Sequence, residues 1–288
     1  MAKQNRSLHG RLVFITGAAR GIGRATAQAL VGEGARVVIG DLDQNLTEQA
    51  ASELGSGTVG LQLDVTDHAQ FTAVLDQVEA EHGPIDILVN NAGIMPLIRF
   101  EDESPESLAR QLAVNFIAPW HGTQDAIRRM KPRGHGHIIN VASMAGVVAT
   151  PGAATYCATK HALVGLTESI SWELRGTGID IGYVLPTLVN TELASGVKHT
   201  KASRIIEPQD VAAEIVKALK NPKVAIYAPA SMEAVTKVSG LIPRRIGEKI
   251  MTGTGSDHLL ADAMGSGQRE DYEKRVSESA PSADATRG

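Results

Sequence analysis

Tyr156 and Lys160 lie four residues apart in the run Ala154-Thr155-Tyr156-Cys157-Ala158-Thr159-Lys160. On a helix that spacing puts both side chains on one face. A free phenol ionises near pH ~10, too high for a base at neutral pH. An adjacent ammonium favours the phenolate and lowers that value, so the pair suits acid–base work. Far upstream, Thr16-Gly17-Ala18-Ala19-Arg20-Gly21-Ile22-Gly23 joins an apolar run to a helical pattern. Glycines there let the backbone approach a phosphate, and the N-terminus of the following helix offers unpaired N–H groups. The spacing is Gly17-x-x-x-Gly21-x-Gly23 rather than the commoner G-x-G-x-x-G. A Tyr-x-x-x-Lys alone is frequent by chance, and a glycine turn alone can be only a turn. Together they point to hydride transfer to or from a nicotinamide dinucleotide.

Asp41 closes the second predicted strand, eighteen positions after Gly23. A carboxylate there can accept hydrogen bonds from the adenosine ribose hydroxyls and would repel a 2′-phosphate. Leu42 offers no compensating charge. This favours NAD over NADP, although Arg20 places a cation in the same turn that could meet a phosphate.

These residues need a scaffold, and the pattern supplies one. Predicted strands run over Leu12–Thr16, Arg36–Asp41, Val59–Asp64, Ile85–Asn90, His137–Ala142, Ile179–Leu185 and Val224–Tyr227. Several are apolar at consecutive positions, as in strands buried on both faces. Between them lie helical patterns at Gly21–Gly34, Asn45–Leu54, Ala69–His82, Glu106–Met130, Ala154–Arg175 and Pro208–Leu219. Repeated βα units imply an α/β fold, a doubly wound Rossmann sheet of about seven parallel strands with helices on both faces. Gly34 and His82-Gly83-Pro84 punctuate helix ends. We expect one domain over residues 1–265, with a helical extension at 229–265. The polar, small residues of 266–288 read as a disordered tail.

With 288 residues, 43% hydrophobic and a net charge of −4, the chain can bury a large core and is a poor match for nucleic acid. A single cysteine, Cys157, excludes an internal disulfide and suits a reducing compartment. No signal-peptide core and no bilayer-spanning run appears, so the expectation is a soluble cytoplasmic protein.

The order of motifs makes the chain similar to the short-chain dehydrogenase/reductase family, over Leu12 to Tyr227. Thr16–Gly23 matches that family's cofactor turn, contributing Gly17, Arg20, Gly21, Ile22 and Gly23. Asn90-Asn91-Ala92-Gly93 matches its central motif, and Asp64-Val65 the pair that meets adenine. Asn115, Ser143, Tyr156 and Lys160 match the catalytic set. Pro186, Val189 and Thr191 match the segment that holds the nicotinamide carboxamide. The glycine spacing separates the chain from the extended branch that includes sugar epimerases. The resemblance implies that Tyr156 exchanges the substrate proton and that Lys160 lowers its pKa and binds the nicotinamide ribose. It also implies that Ser143 steadies the reacting oxygen and that Asn115 holds a water linking Lys160 to solvent. It further implies a homodimer or homotetramer through the fourth and fifth helices. Two departures stand out. Pro186-Thr187 replaces the usual Pro-Gly, and the ending lacks the glycine-rich last strand of many tetrameric members.

Other residues read as packing. His121, His135, His137 and His161 have no metal-ligand spacing. Cys157 faces away from Tyr156 as a buried thiol, and Trp120 and Trp172 suit core or subunit packing. Ile94, Met95, Pro96, Leu97 and Ile98 follow Gly93. Met144, Ala145, Val147 and Val148 follow Ser143, and Leu188 and Leu193 complete an apolar surround. Arg99, Lys198 and His199 lie only near its edges. The expected substrate is a lipophilic secondary alcohol or ketone. The alternatives are an NADP-dependent carbonyl reductase and a non-catalytic dinucleotide-binding sensor. The amphipathic stretch Met232–Met251, broken by Pro243, reads as a packed helix, a lid or a membrane-surface helix.

Overall fold

The computed structural model describes residues 5–197, 205–239 and 267–278, and the single positions 253, 260, 263 and 264. Strands and helices alternate from the start. They are β1 (Leu12–Thr16), α1 (Gly21–Gly32), β2 (Arg36–Asp41), α2 (Gln44–Leu54), β3 (Val59–Gln62), α3 (His68–His82) and β4 (Ile87–Asn90). There follow α4 (Pro105–Leu112), α5 (Ala118–Met130), β5 (Gly136–Val141), α6 (Ala154–Glu173), β6 (Ile179–Pro186), α7 (Pro208–Lys220), β7 (Ala225–Ala228) and α8 (Met232–Ser239).

The seven strands form one sheet in the order β3-β2-β1-β4-β5-β6-β7, and every pairing is parallel. Val13 of β1 pairs with Val37 of β2 on one side and with Ile87 of β4 on the other. The chain thus winds outward twice from β1. A crevice opens at the carboxyl ends of β1 and β4, where the winding reverses.

Alternation along β1 explains its unbroken apolar run. Leu12 and Phe14 pack in one core layer with Phe71 and Leu75 of α3 and Ala126 and Met130 of α5. Val13 and Ile15 pack in the opposite layer with Ala27 and Leu30 of α1 and Ile215 and Leu219 of α7. Burial of each large side chain is worth about 1.5–3 kcal/mol, which fixes the strand between its two helical layers. Local signals set the helix starts. Asp43 accepts from the Leu46 N–H, Asp67 from the Gln70 N–H and Ser104 from the Ser107 N–H. At α1 no side chain caps the N-terminus and no acid occupies the first turn.

Two expectations need correction, and a third narrows to one of its alternatives. The helix predicted over Glu106–Met130 is interrupted by a π turn, Ala113–Ile117, between α4 and α5. Trp120 and Trp172 are 38% and 63% exposed, so neither belongs to the core. The Arg175 guanidinium lies 3.5 Å from the centroid of the Trp172 ring. The tail expected to be disordered from residue 266 carries structure: a 3-10 turn at Gly267–Arg269 leads into α9 (Glu270–Glu278). Its low hydrophobicity is offset by specific polar contacts, since Arg269, 1% exposed, donates to the carbonyls of Met95, Leu193 and Ser195 at 2.8–2.9 Å. Residues 240–251 of the Met232–Met251 stretch, Lys198, His199 and residues 279–288 lie outside the described residues. Val235 and Val238 of α8 are exposed.

Candidate active site

A cleft of about 1100 Å³ opens at the carboxyl ends of the strands, lined at one end by Asp41, Asp64 and Val65 and at the other by Ser143, Tyr156 and Lys160. The glycine turn forms its floor. Gly17 and Gly21 have φ of +62° and +58°, a region that strains any residue with a Cβ. A Cβ on Gly23 would sit 2.5 Å from both the Gly17 carbonyl oxygen and Asn91 Nδ2, so α1 can approach β1 only with glycine there. The Asn91 amide donates to the carbonyls of Thr16 (2.9 Å) and Gly17 (2.7 Å). The Thr16 hydroxyl accepts from the N–H groups of Asn91 and Ala92. The central motif is thus a clasp that ties β4 to the turn after β1. Beneath it Asn90 donates to Asn140 Oδ1 at 2.8 Å, and Asn140 donates to the Thr167 hydroxyl at 2.9 Å.

At the β2 end of the cleft, the Asp41 carboxylate accepts from the N–H groups of Ala19 (3.0 Å) and Leu42 (2.8 Å). Burial raises its pKa, and those two bonds and Arg20 oppose the rise. Arg20 pairs with Glu192 at 2.8 Å.

At the other end, α6 presents Tyr156 and Lys160 one turn apart, 6% and 3% exposed. Lys160 Nζ donates to the Val141 carbonyl at 2.9 Å and lies 5.7 Å from the Tyr156 ring centroid. Burial holds the Lys160 ammonium down, to about 8. The net shift of Tyr156 runs opposite to the one expected from spacing: burial pushes the phenol up, and neighbouring Ser143 offsets only part of the rise. Nearby Tyr272 and Cys157 raise it further. Removing the phenolate from water outweighs the partner that sequence spacing supplies.

The cleft brings together Gly17, Arg20, Gly21, Ile22, Asp41, Asp64, Val65, Asn91, Ala92, Gly93, Ser143, Tyr156, Lys160, Pro186, Val189 and Thr191. Gly23 and Asn115 do not line it. Gly23 packs beneath the turn, and Asn115, fully buried in the π turn, accepts from the Ile94 N–H and donates to the Ile94 carbonyl, both at 2.9 Å. Of the apolar surround, Ile94, Met95, Leu188 and Leu193 reach the cleft, whereas Pro96, Leu97, Ile98, Met144, Ala145, Val147 and Val148 do not. Cys157 is buried, its Sγ 3.9 Å from the Thr150 carbonyl oxygen. Among the described residues no histidine, cysteine or carboxylate cluster could hold a metal, and no helix is long and apolar enough to cross a membrane.

Sequence reasoning missed Glu192, Tyr272 and Arg275, which also line the cleft. The Tyr272 hydroxyl accepts from the Met95 N–H at 2.8 Å, and Arg275 pairs with Glu192 at 2.7 Å. One signal was available: Tyr272 is the sole aromatic residue after Tyr227, in a stretch otherwise fit only for solvent. Leu260, Ala263 and Met264 join Met95, Leu97 and Tyr156 in a small apolar cluster.

The residues present fit a dinucleotide. The α1 N-terminus is open to an anion, the Asp41 carboxylate suits ribose hydroxyls, and the volume suits an elongated ligand. The hydroxyl of Thr187, where Pro-Gly is usual, borders the cleft and is buried without a hydrogen-bond partner, as a bound polar group would remedy.

Comparison with known proteins agrees with this geometry. Residues 11–202 match the family model described as short chain dehydrogenase. The chain is 36% identical over 213 residues to a 3-alpha-(or 20-beta)-hydroxysteroid dehydrogenase of Mycobacterium tuberculosis, covering 73% of this chain and 82% of that one. It is 33% identical over 203 residues to the 3-oxoacyl-acyl-carrier-protein reductase FabG of Escherichia coli, covering 69% and 82%. Among solved structures, a short chain dehydrogenase/reductase from Burkholderia phymatum in complex with NAD superimposes with a TM-score of 0.74 at 26% identity, covering 81% of this chain and 93% of that one.

Proposed function

Since the chain belongs to the short-chain dehydrogenase family, we propose that it interconverts a lipophilic secondary alcohol and its ketone with NAD(H), using Tyr156 as the general acid–base group. The observation that carries this reading is the single cleft shared by the glycine turn, Asp41 and the Ser143/Tyr156/Lys160 set. When bound, the nicotinamide supplies the hydride acceptor or donor. The chain's own residues do the rest. The Tyr156 hydroxyl takes the alcohol proton during oxidation and returns it during reduction. The Ser143 hydroxyl, lining the cleft beside Tyr156, steadies the charge that develops on the substrate oxygen. Lys160, anchored on the Val141 carbonyl, holds positive charge beside the phenol and offers further donors to the ribose. Asn115, both of whose side-chain groups are engaged by Ile94, ties the loop after β4 to the π turn.

Asp41, facing the cleft beside an uncharged Leu42, supports NAD over NADP. Ile94, Met95, Leu188 and Leu193 support a lipophilic substrate. The mycobacterial relative's name makes a steroid ketone the first candidate. The test is a turnover panel with NADH and NADPH against steroid ketones, retinal, a 3-oxoacyl thioester and hydrophilic ketoses. Steroid or other lipophilic carbonyls with NADH should lead. Better turnover of the hydrophilic ketoses would overturn the substrate class, and better turnover with NADPH would overturn the cofactor preference.

A further inference from the structure

Arg20, from the glycine turn, and Arg275, from α9, contact the same oxygen of Glu192, at 2.8 and 2.7 Å. All three groups line the mouth of the cleft, and the two guanidinium groups share one carboxylate oxygen. Arg20 also faces Asp41, whereas Glu192 is the carboxylate that Arg275 contacts, and the first turn of α1 adds no acid. The position of α9 is fixed independently of this cluster. Arg269 is locked by three carbonyls, and Tyr272 is bonded to the Met95 N–H near Tyr156. Tyr272 and Arg275 are three residues apart, so they share a face of α9. That face spans the cleft from the catalytic end to the glycine turn.

We propose that Arg275 binds the diphosphate of the dinucleotide, closing over it from the side opposite the glycine turn. The proposal rests on the dinucleotide reading of the cleft. The diphosphate carries two negative charges where the structure holds one carboxylate between two arginines. An Arg–phosphate contact is charge-assisted and often bidentate, so the incoming anion would take over the guanidinium that Glu192 shares. The C-terminal segment, with the least sequence signal in the chain, then contributes directly to cofactor affinity.

The test is equilibrium binding to the full-length protein, by calorimetry, with NADH, ADP-ribose and adenosine as probes. Arg275→Gln should weaken NADH and ADP-ribose about tenfold and leave adenosine unchanged within about twofold. Arg275→Lys should fall between wild type and Arg275→Gln, because it keeps the charge and loses the fork. Glu192→Gln should tighten ADP-ribose about threefold, an effect of opposite sign that misfolding cannot produce. Unchanged ADP-ribose affinity in Arg275→Gln would overturn the proposal. So would an equal loss for adenosine, which would mark a merely structural helix, or weaker ADP-ribose binding by Glu192→Gln. If the wild type bound neither NADH nor ADP-ribose, the dinucleotide reading itself would fall. Wild-type binding with an indifferent Arg275→Gln strikes only the arginine.

Discussion

The two walls of the cleft are built differently. The glycine-turn wall is backbone against backbone: the Asn91 amide bridges the carbonyls of Thr16 and Gly17, and a Cβ at Gly17 or Gly23 would meet atoms at 2.7 or 2.5 Å. The C-terminal wall is held by side chains: the Arg269 guanidinium on three carbonyls, the Tyr272 hydroxyl on Met95, and Arg275 on Glu192. A wall of the first kind tolerates almost no substitution. One of the second kind can change residue by residue while the sheet stays intact.

Substitution at the first wall should have the largest effect. Gly23→Val should abolish dinucleotide binding, with at least a hundredfold loss in NADH affinity, because the new side chain collides with backbone rather than with a flexible tip. NADH titration with circular dichroism in parallel checks it, and near-wild-type affinity would show that the turn is softer than its contacts imply.

Lys160→Met should separate stability from activity. The lysine's folded pKa is lowered from 10.5 to about 8 by burial. Below pH 8 it is protonated both folded and unfolded, and the full cost of burying the charge is felt. As pH rises from 8 to 10.5 the folded state has released its proton while the unfolded chain has not, so that cost fades. At pH 7 the variant should be more stable by on the order of 3 kcal/mol, with the advantage shrinking above pH 8. Urea melts across that range read the difference, and turnover should be lost throughout. A variant less stable at pH 7 would contradict the burial cost.

At the second wall, Arg269→Ala leaves the carbonyls of Met95, Leu193 and Ser195 without their donor. It should cost about 1–3 kcal/mol locally and speed proteolysis within 267–278. The loss of NADH affinity should be no greater than for Arg275→Gln. Limited proteolysis with NADH titration measures both, and a collapse of global stability would mean that the C-terminal wall is as integral as the glycine turn. Asp41→Ala should have the smallest effect, raising the NADP-to-NAD affinity ratio about tenfold without loss of fold. An unchanged ratio would remove Asp41 from cofactor selection.

The same contrast explains what could be read from the residues alone. The sheet and most helices were legible because both faces of strands such as Leu12–Thr16 are buried and because Asp43, Asp67 and Gly34 mark helix ends. The first wall was legible because its requirement is glycine at fixed spacing. The second was not. Only Tyr272 and Val276 give α9 an apolar side, and Arg269 is buried through carbonyls that no periodicity reveals. The π turn around Asn115 left no mark either, since Glu106–Met130 keeps its helical period across it. The sign of the Tyr156 shift was missed for a related reason. Spacing shows a partner four residues away, whereas the desolvation that dominates depends on the whole cleft.

The acid–base assignment of Tyr156 is the claim on which the functional reading depends. It is tested most directly by single-turnover reduction of the best carbonyl substrate from the panel by Tyr156→Phe preloaded with NADH. The rate should fall about a thousandfold while NADH affinity stays within twofold of wild type, because the ring still fills its site and only the transferable proton is gone. A variant that reduces the substrate at the wild-type rate would contradict the assignment.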